Sequence, residues 1–221
     1  MEQLIMTEEE IRLLSAVYDN EARLREGKLY DYQKEALDQL RAGLAYLDSK
    51  YPDFDPEILT FTPATKFTHW AQFLIRGDGE GTYTLTVEPT GDDFLCQDTC
   101  YGKWIREPYD CYVTELLQSA GISAGVYTHF PVPVGMEIGQ YTTVSEFIQF
   151  SPRINRQTRL YIADSGNAEA DAATIRQLLK EAGLYGHYFL YCIPADQMSS
   201  VEEMEQNRKQ WDSISFTCYD V

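Results

Sequence analysis

The fold is indicated most clearly by residues 71–88, AQFLIRGDGEGTYTLTVE, in which apolar and polar side chains alternate. In the first half, Ala71, Phe73 and Ile75 would share one face of a strand, because successive side chains of a strand point to opposite faces. The second half alternates in the same way. The segment 77–81 between the halves contains three glycines, which adopt the positive φ angles of turns without steric cost. This stretch therefore predicts two antiparallel strands joined by a hairpin turn.

Strand-like runs lie on both sides of this hairpin, and helix signals precede them. The runs cover residues 58–62, 67–76, 82–88 and 93–104 and are rich in Thr, Tyr, Phe, Val and Trp. Near the N-terminus, Thr7 and Glu10 form a capping-box pattern that predicts a helix start. A second apolar stripe at helical spacing begins with Tyr30 and ends at Tyr51-Pro52, because proline disfavours helical geometry in the preceding residue. Helices followed by an antiparallel meander are therefore predicted.

The C-terminal half predicts a second group of strands and helices. A helix is predicted at residues 107–120, and residues 122–142 are expected to be irregular because Pro and Gly interrupt their apolar residues. The order β-β-α-β-α-β then follows, at residues 145–150, 157–163, 168–181, 186–193, 200–209 and 213–219. The predicted class is α+β, with N-terminal helices packed on a meander and a second, α/β-sandwich-like sheet with helices on one face. The predicted domains are residues 1–121 and 122–221.

The composition limits the classes of partner. Lys and Arg number 18 against 35 Asp and Glu, which gives a net charge of −17. This charge repels polyphosphate backbones and anionic lipids, so neither a nucleic acid nor a membrane is expected as a partner, whereas a basic protein would be attracted. The chain begins without a basic, apolar leader and contains no run of about 18 apolar residues. A cytoplasmic location is therefore predicted.

No set of residues predicts a cofactor, a metal site or a catalytic centre. The five cysteines are an odd number, which is typical of reduced thiols, and Cys96, Cys100 and Cys111 lack the second close pair of a zinc site. The acidic segment at Asp53 resembles the start of a calcium loop, but Ile58 occupies the position where such a loop needs glycine. Only three histidines are present, and no nucleophile motif accompanies them.

Two groups of residues remain as candidate binding residues. Arg153, Arg156 and Arg159 are the one basic cluster in the acidic chain and would clamp a carboxylate or phosphate, or else pair with acids of the protein itself. Trp70 and Trp104 would stack on a ligand if exposed, or else fill the core.

The sequence also resembles a known group of proteins. Residues 43–54, GLAYLDSKYPDF, are followed by the strand-like AQFLI and YTLTV segments at 71–75 and 83–87. Across about residues 35–118 this resembles uncharacterised proteins and lipoproteins of Gram-positive bacteria, in which a helix ending in Tyr-Leu-x-x-Lys-Tyr leads into a small antiparallel sheet. Here Pro52 replaces the glycine usual in that group, and no lipoprotein cysteine follows a leader. The resemblance implies a bacterial protein and no particular activity, because none is assigned to the group.

Together these features favour a non-enzymatic bacterial binding protein, immunity-like in character, that recognises a basic protein partner through an acidic, tyrosine-rich surface. One alternative is a hydrolase or transferase whose carboxylates converge only in the fold. Another is a small-ligand or glycan-binding module with an aromatic-lined pocket.

Overall fold

The computed structural model of the protein describes residues 4–77, 81–150 and 156–218. The helices are α1 (Glu8–Val17), α2 (Glu21–Arg25), α3 (Asp31–Lys50), α4 (Gly102–Ser119), α5 (Val144–Phe150), α6 (Ala168–Glu181) and α7 (Val201–Asn207). The strands are β1 (Glu57–Thr62), β2 (Ala71–Arg76), β3 (Thr82–Thr90), β4 (Asp93–Asp98), β5 (Ala124–His129), β6 (Gln157–Ala163), β7 (Gly186–Ile193) and β8 (Ser213–Cys218). The fold is α+β, as predicted.

The chain divides into two compact units. Unit 1 comprises residues 1–100 and 133–140, and unit 2 comprises residues 101–132 and 141–221. The sequence-based division at residue 121 places α4 in the first domain, whereas the structure groups α4 with unit 2. The physical reason is that α4 packs on β5 of that unit.

Unit 1 is built from α1–α3 and an antiparallel sheet in the order β1-β2-β3-β4. Strands β2 and β3 pair antiparallel as predicted, with Phe73 opposite Leu85. Residues 78–80 of the predicted turn lie outside the described residues. The capping box at the start of α1 is present, because Thr7 and Glu10 each accept a hydrogen bond from the other's backbone N–H. Gly43 of α3 faces the sheet so closely that an added Cβ would lie 2.5 Å from the ring of Phe73.

A buried polar cluster joins the end of α3 to the segment 133–140. Lys50 Nζ lies 2.6 Å from Asp98 Oδ2 and also donates to the carbonyl oxygens of Val134 and Gly135. The hydroxyls of Tyr46 and Tyr51 donate to the two oxygens of Asp98, at 2.7 and 2.8 Å. Because both charged side chains are buried and bonded, this cluster has a structural role.

Unit 2 contains a mixed sheet in the order β5-β6-β7-β8. Strands β6 and β7 are parallel and are connected through α6, while β5 and β8 run antiparallel to their neighbours. Helices were predicted on one face of this sheet, but in the structure they lie on both faces. Helix α4 approaches the face that carries Thr128 and Thr158. Helix α7 packs on the opposite face, where Tyr161 contacts Met204.

Three predicted elements differ from the structure, each for a local reason. Residues 145–150, predicted as a strand, belong to helix α5, because Thr143 and Glu146 exchange the two hydrogen bonds of a capping box. The segment 122–142, predicted as irregular, contains β5. Its glycine at position 125 lies close to α7, where a Cβ would lie 2.9 Å from Met204 Cε. The strand predicted at 93–104 ends at residue 98, and α4 begins four residues later.

Among the described residues, no helix combines the length and the apolar character needed to cross a membrane. All five cysteines are free thiols.

Candidate functional site

Unit 1 carries a groove lined by tyrosine side chains, here called the tyrosine groove. Its lining residues are Val17, Tyr18, Tyr32, Glu35, Ala36, Gln39 and the segment 62–65, and its volume is about 360 Å³. Tyr18 and Tyr32 meet edge to face with ring centroids 5.4 Å apart. Tyr30 stacks on the other side of Tyr32 at 5.6 Å, so that three aromatic rings are arranged in a row.

The positions of these tyrosines follow from the ends of the helices. Tyr18 is the C-cap of α1, and Tyr30 is the N-cap of α3, with Gln33 accepting its backbone N–H at 3.0 Å. Tyr32 lies in the first turn of α3 and is 54% exposed. Rings placed at helix ends are held by backbone bonds rather than by core packing, which leaves their faces available at the surface.

The tyrosine groove is negatively charged. Glu35 lines it and, within the described residues, makes no ion pair. Burial, together with the neighbouring Tyr32 and Glu35, raises the pKa of Tyr18. Along the exposed face of α3, Glu35 is flanked at helical spacing by Asp31 and Asp38, of which Asp31 is paired with Lys34. A cation entering the groove would therefore meet aromatic faces and an uncompensated carboxylate.

The protein already places one cation on this aromatic row. The guanidinium carbon of Arg23 lies 4.0 Å from the ring centroid of Tyr30, and Arg23 Nη1 donates to the Tyr30 hydroxyl at 2.9 Å. Such a distance is typical of a cation–π contact. The geometry shows that the outer ring of the row accepts a guanidinium group.

One wall of the tyrosine groove continues into a loop at residues 63–70, here called the aromatic loop. Its tip is ordered by Thr65, whose Oγ1 accepts the backbone N–H groups of Phe67 and Thr68, both at 3.1 Å. The ring of Phe67 is nevertheless 95% exposed, and Trp70 at the end of the loop is 45% exposed. An ordered loop that presents large apolar rings to solvent is typical of a protein-binding surface.

The predicted basic cluster is dispersed in the structure. Arg159, on β6, donates from Nη1 to Glu205 at 2.6 Å, and its guanidinium carbon lies 5.6 Å from the ring centroid of Tyr127. The same Glu205 carboxylate accepts hydrogen bonds from the hydroxyl of Tyr161 and from Arg208 at 3.3 Å. Arg159 therefore pairs within the protein, as one of the two sequence-based interpretations expected.

Arg156 behaves differently from Arg159. Its side chain is completely buried against the rings of Tyr109 and Phe147, and within the described residues it makes no ion pair. The third member of the predicted cluster, Arg153, lies outside the described residues. Because side chains three residues apart along a strand point to opposite faces, Arg156 and Arg159 have different surroundings.

The two tryptophan candidates belong to different units. Trp70 lies at the end of the aromatic loop of unit 1. Trp104 is a partly buried residue of α4 in unit 2, where the Lys103 ammonium group lies 5.4 Å from its ring centroid.

Unit 2 contains two carboxylates, those of Asp110 and Glu205, that are largely shielded from solvent. Asp110 of α4 accepts the backbone N–H of Thr128 at 3.3 Å, and burial raises its pKa to about 7. The other buried carboxylate of unit 2, Glu205, accepts hydrogen bonds from three side chains, which favours a structural role. Within the described ranges, no group of three or more His, Cys, Asp or Glu side chains is arranged to hold a metal ion.

The tyrosine groove was not predicted from the sequence. Tyr30 was expected to begin an apolar helical stripe, whereas in the structure it is exposed. The spacing of Tyr30 and Tyr32 contained the missing signal, because residues two apart on a helix cannot both face the same core.

Comparison of the chain with protein-family models, curated proteins and solved structures found no match. The resemblance of residues 35–118 to proteins of Gram-positive bacteria stays a prediction.

Proposed function

We propose that this protein binds a basic protein partner through the tyrosine groove and the aromatic loop of unit 1. The observation that carries the proposal is the edge-to-face pair of Tyr18 and Tyr32 beside the unpaired Glu35 in one groove. Aromatic faces next to a carboxylate bind a guanidinium or ammonium group by cation–π attraction and by charge.

The chemistry of the partner follows from that of the surface. A Lys or Arg side chain of the partner would enter the tyrosine groove as Arg23 already lies on Tyr30. Phe67 would insert into an apolar depression of the partner, because a fully exposed ring gains most from desolvation at the centre of an interface. The net charge of −17 accelerates encounter with a basic protein without requiring further contacts. The immunity-like role and the cytoplasmic location expected from the sequence are part of this proposal.

The experiment uses the full chain as bait in a lysate of the native host. Tyr32→Ala combined with Glu35→Gln is expected to reduce capture of a basic protein at least tenfold relative to wild type, since hot-spot aromatics and charges dominate binding. Phe67→Ala is expected to weaken the same interaction, and about 0.5 M salt to reduce it by screening. Tyr112→Ala is the matched control, because Tyr112 is an exposed tyrosine of unit 2.

Capture of the same basic protein by wild type and Tyr112→Ala, with loss by the double variant, would support the proposal. Equal capture by all the variants would place binding elsewhere on the surface, and an absence of any basic protein in the wild-type eluate would overturn the proposal. Circular dichroism of each variant excludes unfolding as the cause of a loss.

A further inference from the structure

The guanidinium of Arg156 is a buried positive charge without a counter-charge in the described structure. Arg156 is 0% exposed, and neither Nη1 nor Nη2 has a hydrogen-bond partner among the described residues. Burying an unpaired charge is costly, and native proteins place a partner group or a bound ion at such a position. The ring centroids of Tyr109 and Phe147 lie 5.1 and 5.3 Å from its guanidinium carbon. Cation–π contacts of this kind compensate the cost of burying the charge only in part.

Two buried acids of unit 2 form no ion pair with Arg156 within the described residues. Glu205 is bonded to Arg159, Arg208 and Tyr161. Asp110 accepts the backbone N–H of Thr128, and within the described ranges it forms no ion pair with Arg156. Within the described residues, no acid therefore supplies a counter-charge to Arg156.

Arg156 is held in one orientation by its backbone and by one edge of its guanidinium. The carbonyl oxygen of Arg156 accepts the N–H of His187 at 2.8 Å, and Gly186 approaches so closely that a Cβ would lie 2.9 Å from that oxygen. Arg156 Nε donates to the carbonyl oxygen of Tyr185 at 3.0 Å. The edge that remains free carries Nη1 and Nη2, whose parallel N–H groups match the two oxygens of a carboxylate.

We propose that unit 2 binds a small organic carboxylate on the Nη1/Nη2 edge of Arg156, whose guanidinium lies against the rings of Tyr109 and Phe147. The ring faces of Tyr109 and Phe147 favour an organic acid over a hydrated halide, since a ring face does not replace the hydrogen bonds of a hydration shell. Access is provided by α5, a helix of seven residues whose single buried side chain is Phe147. So short a helix depends on that one anchor for its position, and moving it uncovers the guanidinium. The site is independent of the tyrosine groove.

The first test measures thermal unfolding of the full chain in a carboxylate-free HEPES buffer, with sodium formate, acetate or benzoate added against sodium chloride at equal ionic strength. We expect at least one carboxylate to raise the wild-type Tm by about 5 °C beyond the chloride control when it reaches 100 times its Kd. Arg156→Met is expected to lose this increment and, without carboxylate, to unfold at no lower temperature than wild type, because the variant removes an unpaired charge. Arg159→Met, which breaks the pair with Glu205, should keep the increment.

The outcomes separate the site from a general salt effect. Carboxylate stabilisation that persists in Arg156→Met, or wild-type protein that responds to carboxylates and chloride alike, would overturn the proposal. If Arg156→Met does not fold, the decision rests on the exchange of ¹³C-formate with the protein measured by NMR. Phe147→Ala is then expected to speed exchange at least tenfold, and Phe150→Ala, an exposed position on the same helix, to leave it unchanged. Equal exchange rates in wild type and both variants, or no bound formate, would exclude the site.

Discussion

Asp110 shows how burial of a single residue sets a pH dependence. Burial raises its pKa from 3.8 to about 7, against the opposing effects of the Thr128 hydrogen bonds and of Arg106. Because the folded state favours the protonated carboxyl, its stabilising contribution is complete below the unfolded pKa near 4 and is lost as the pH rises through 7. Ionisation of Asp110 therefore destabilises the protein at neutral and alkaline pH.

Replacing Asp110 by asparagine tests the direction of this change in stability with pH. Asp110→Asn keeps an oxygen that can accept the N–H of Thr128 but removes the titration. Between pH 5 and pH 8, the free energy of unfolding of wild type should fall by about 2–3 kcal/mol relative to that of the variant. Urea denaturation at the two pH values measures the difference, and Glu107→Gln, an exposed acid on the same helix, is the control. A difference that does not change with pH would show that Asp110 ionises freely.

Individual residues were predictable where their role depends on local bonding. The capping hydroxyl of Thr7 was recognised because its partner lies three residues away in the sequence. The exposure of the Tyr30 ring was not recognised, since exposure depends on which elements pack against the end of a helix. The unpaired state of Arg156 likewise depends on residues far along the chain, such as Tyr109 and Tyr185.

The packing of α3 on the first sheet depends on a residue without a side chain. Helix propensity alone predicts that Gly43→Ala stabilises α3 by up to about 1 kcal/mol. The structure predicts the opposite sign, because the new Cβ would lie 2.5 Å from Cζ of Phe73, a ring already packed 4.9 Å from Phe61. Overpacking of this kind costs about 1–3 kcal/mol. Chemical denaturation of the variant measures which effect dominates.

A control variant on α3 measures the effect of helix propensity on stability without a change in packing. Ala45 is exposed on α3, so Ala45→Gly should lose about 1 kcal/mol through backbone entropy alone. If Gly43→Ala raised the free energy of unfolding by as much as Ala45→Gly lowered it, Phe73 would not pack closely against α3.

Elements were predicted well where one periodicity extends over many residues and less well where short runs have two interpretations. The segment 71–88 alternates over two strands, and their antiparallel pairing was predicted correctly. Residues 145–150 are too few for their apolar residues to distinguish a strand from a helix. The capping pair of Thr143 and Glu146 was present in the sequence and would have decided for a helix.

At the scale of the whole molecule, composition and element order were sufficient for the α+β class, but not for the division into units. The chain passes from unit 1 to unit 2, returns for residues 133–140 and leaves again. The sequence contains no local signal for this return. What holds the returning segment is the ammonium group of Lys50, whose acceptors Val134 and Gly135 lie more than 80 residues away in the sequence.

A fragment ending at the sequence-based boundary would therefore contain an unpartnered helix. In residues 1–121, α4 lacks β5, and its buried face would be exposed; that face consists of Ile105, Tyr109, Val113 and Leu117. We expect this fragment to bind a hydrophobic dye much more strongly than a fragment of residues 1–100, and the α4 amides to exchange with solvent far faster than in the intact chain. Both fragments lack residues 133–140, so they share the loss of the Lys50 acceptors and differ in α4. If α4 remained protected from exchange in the longer fragment, its stability would come from unit 1, and the boundary near residue 121 would be the correct one.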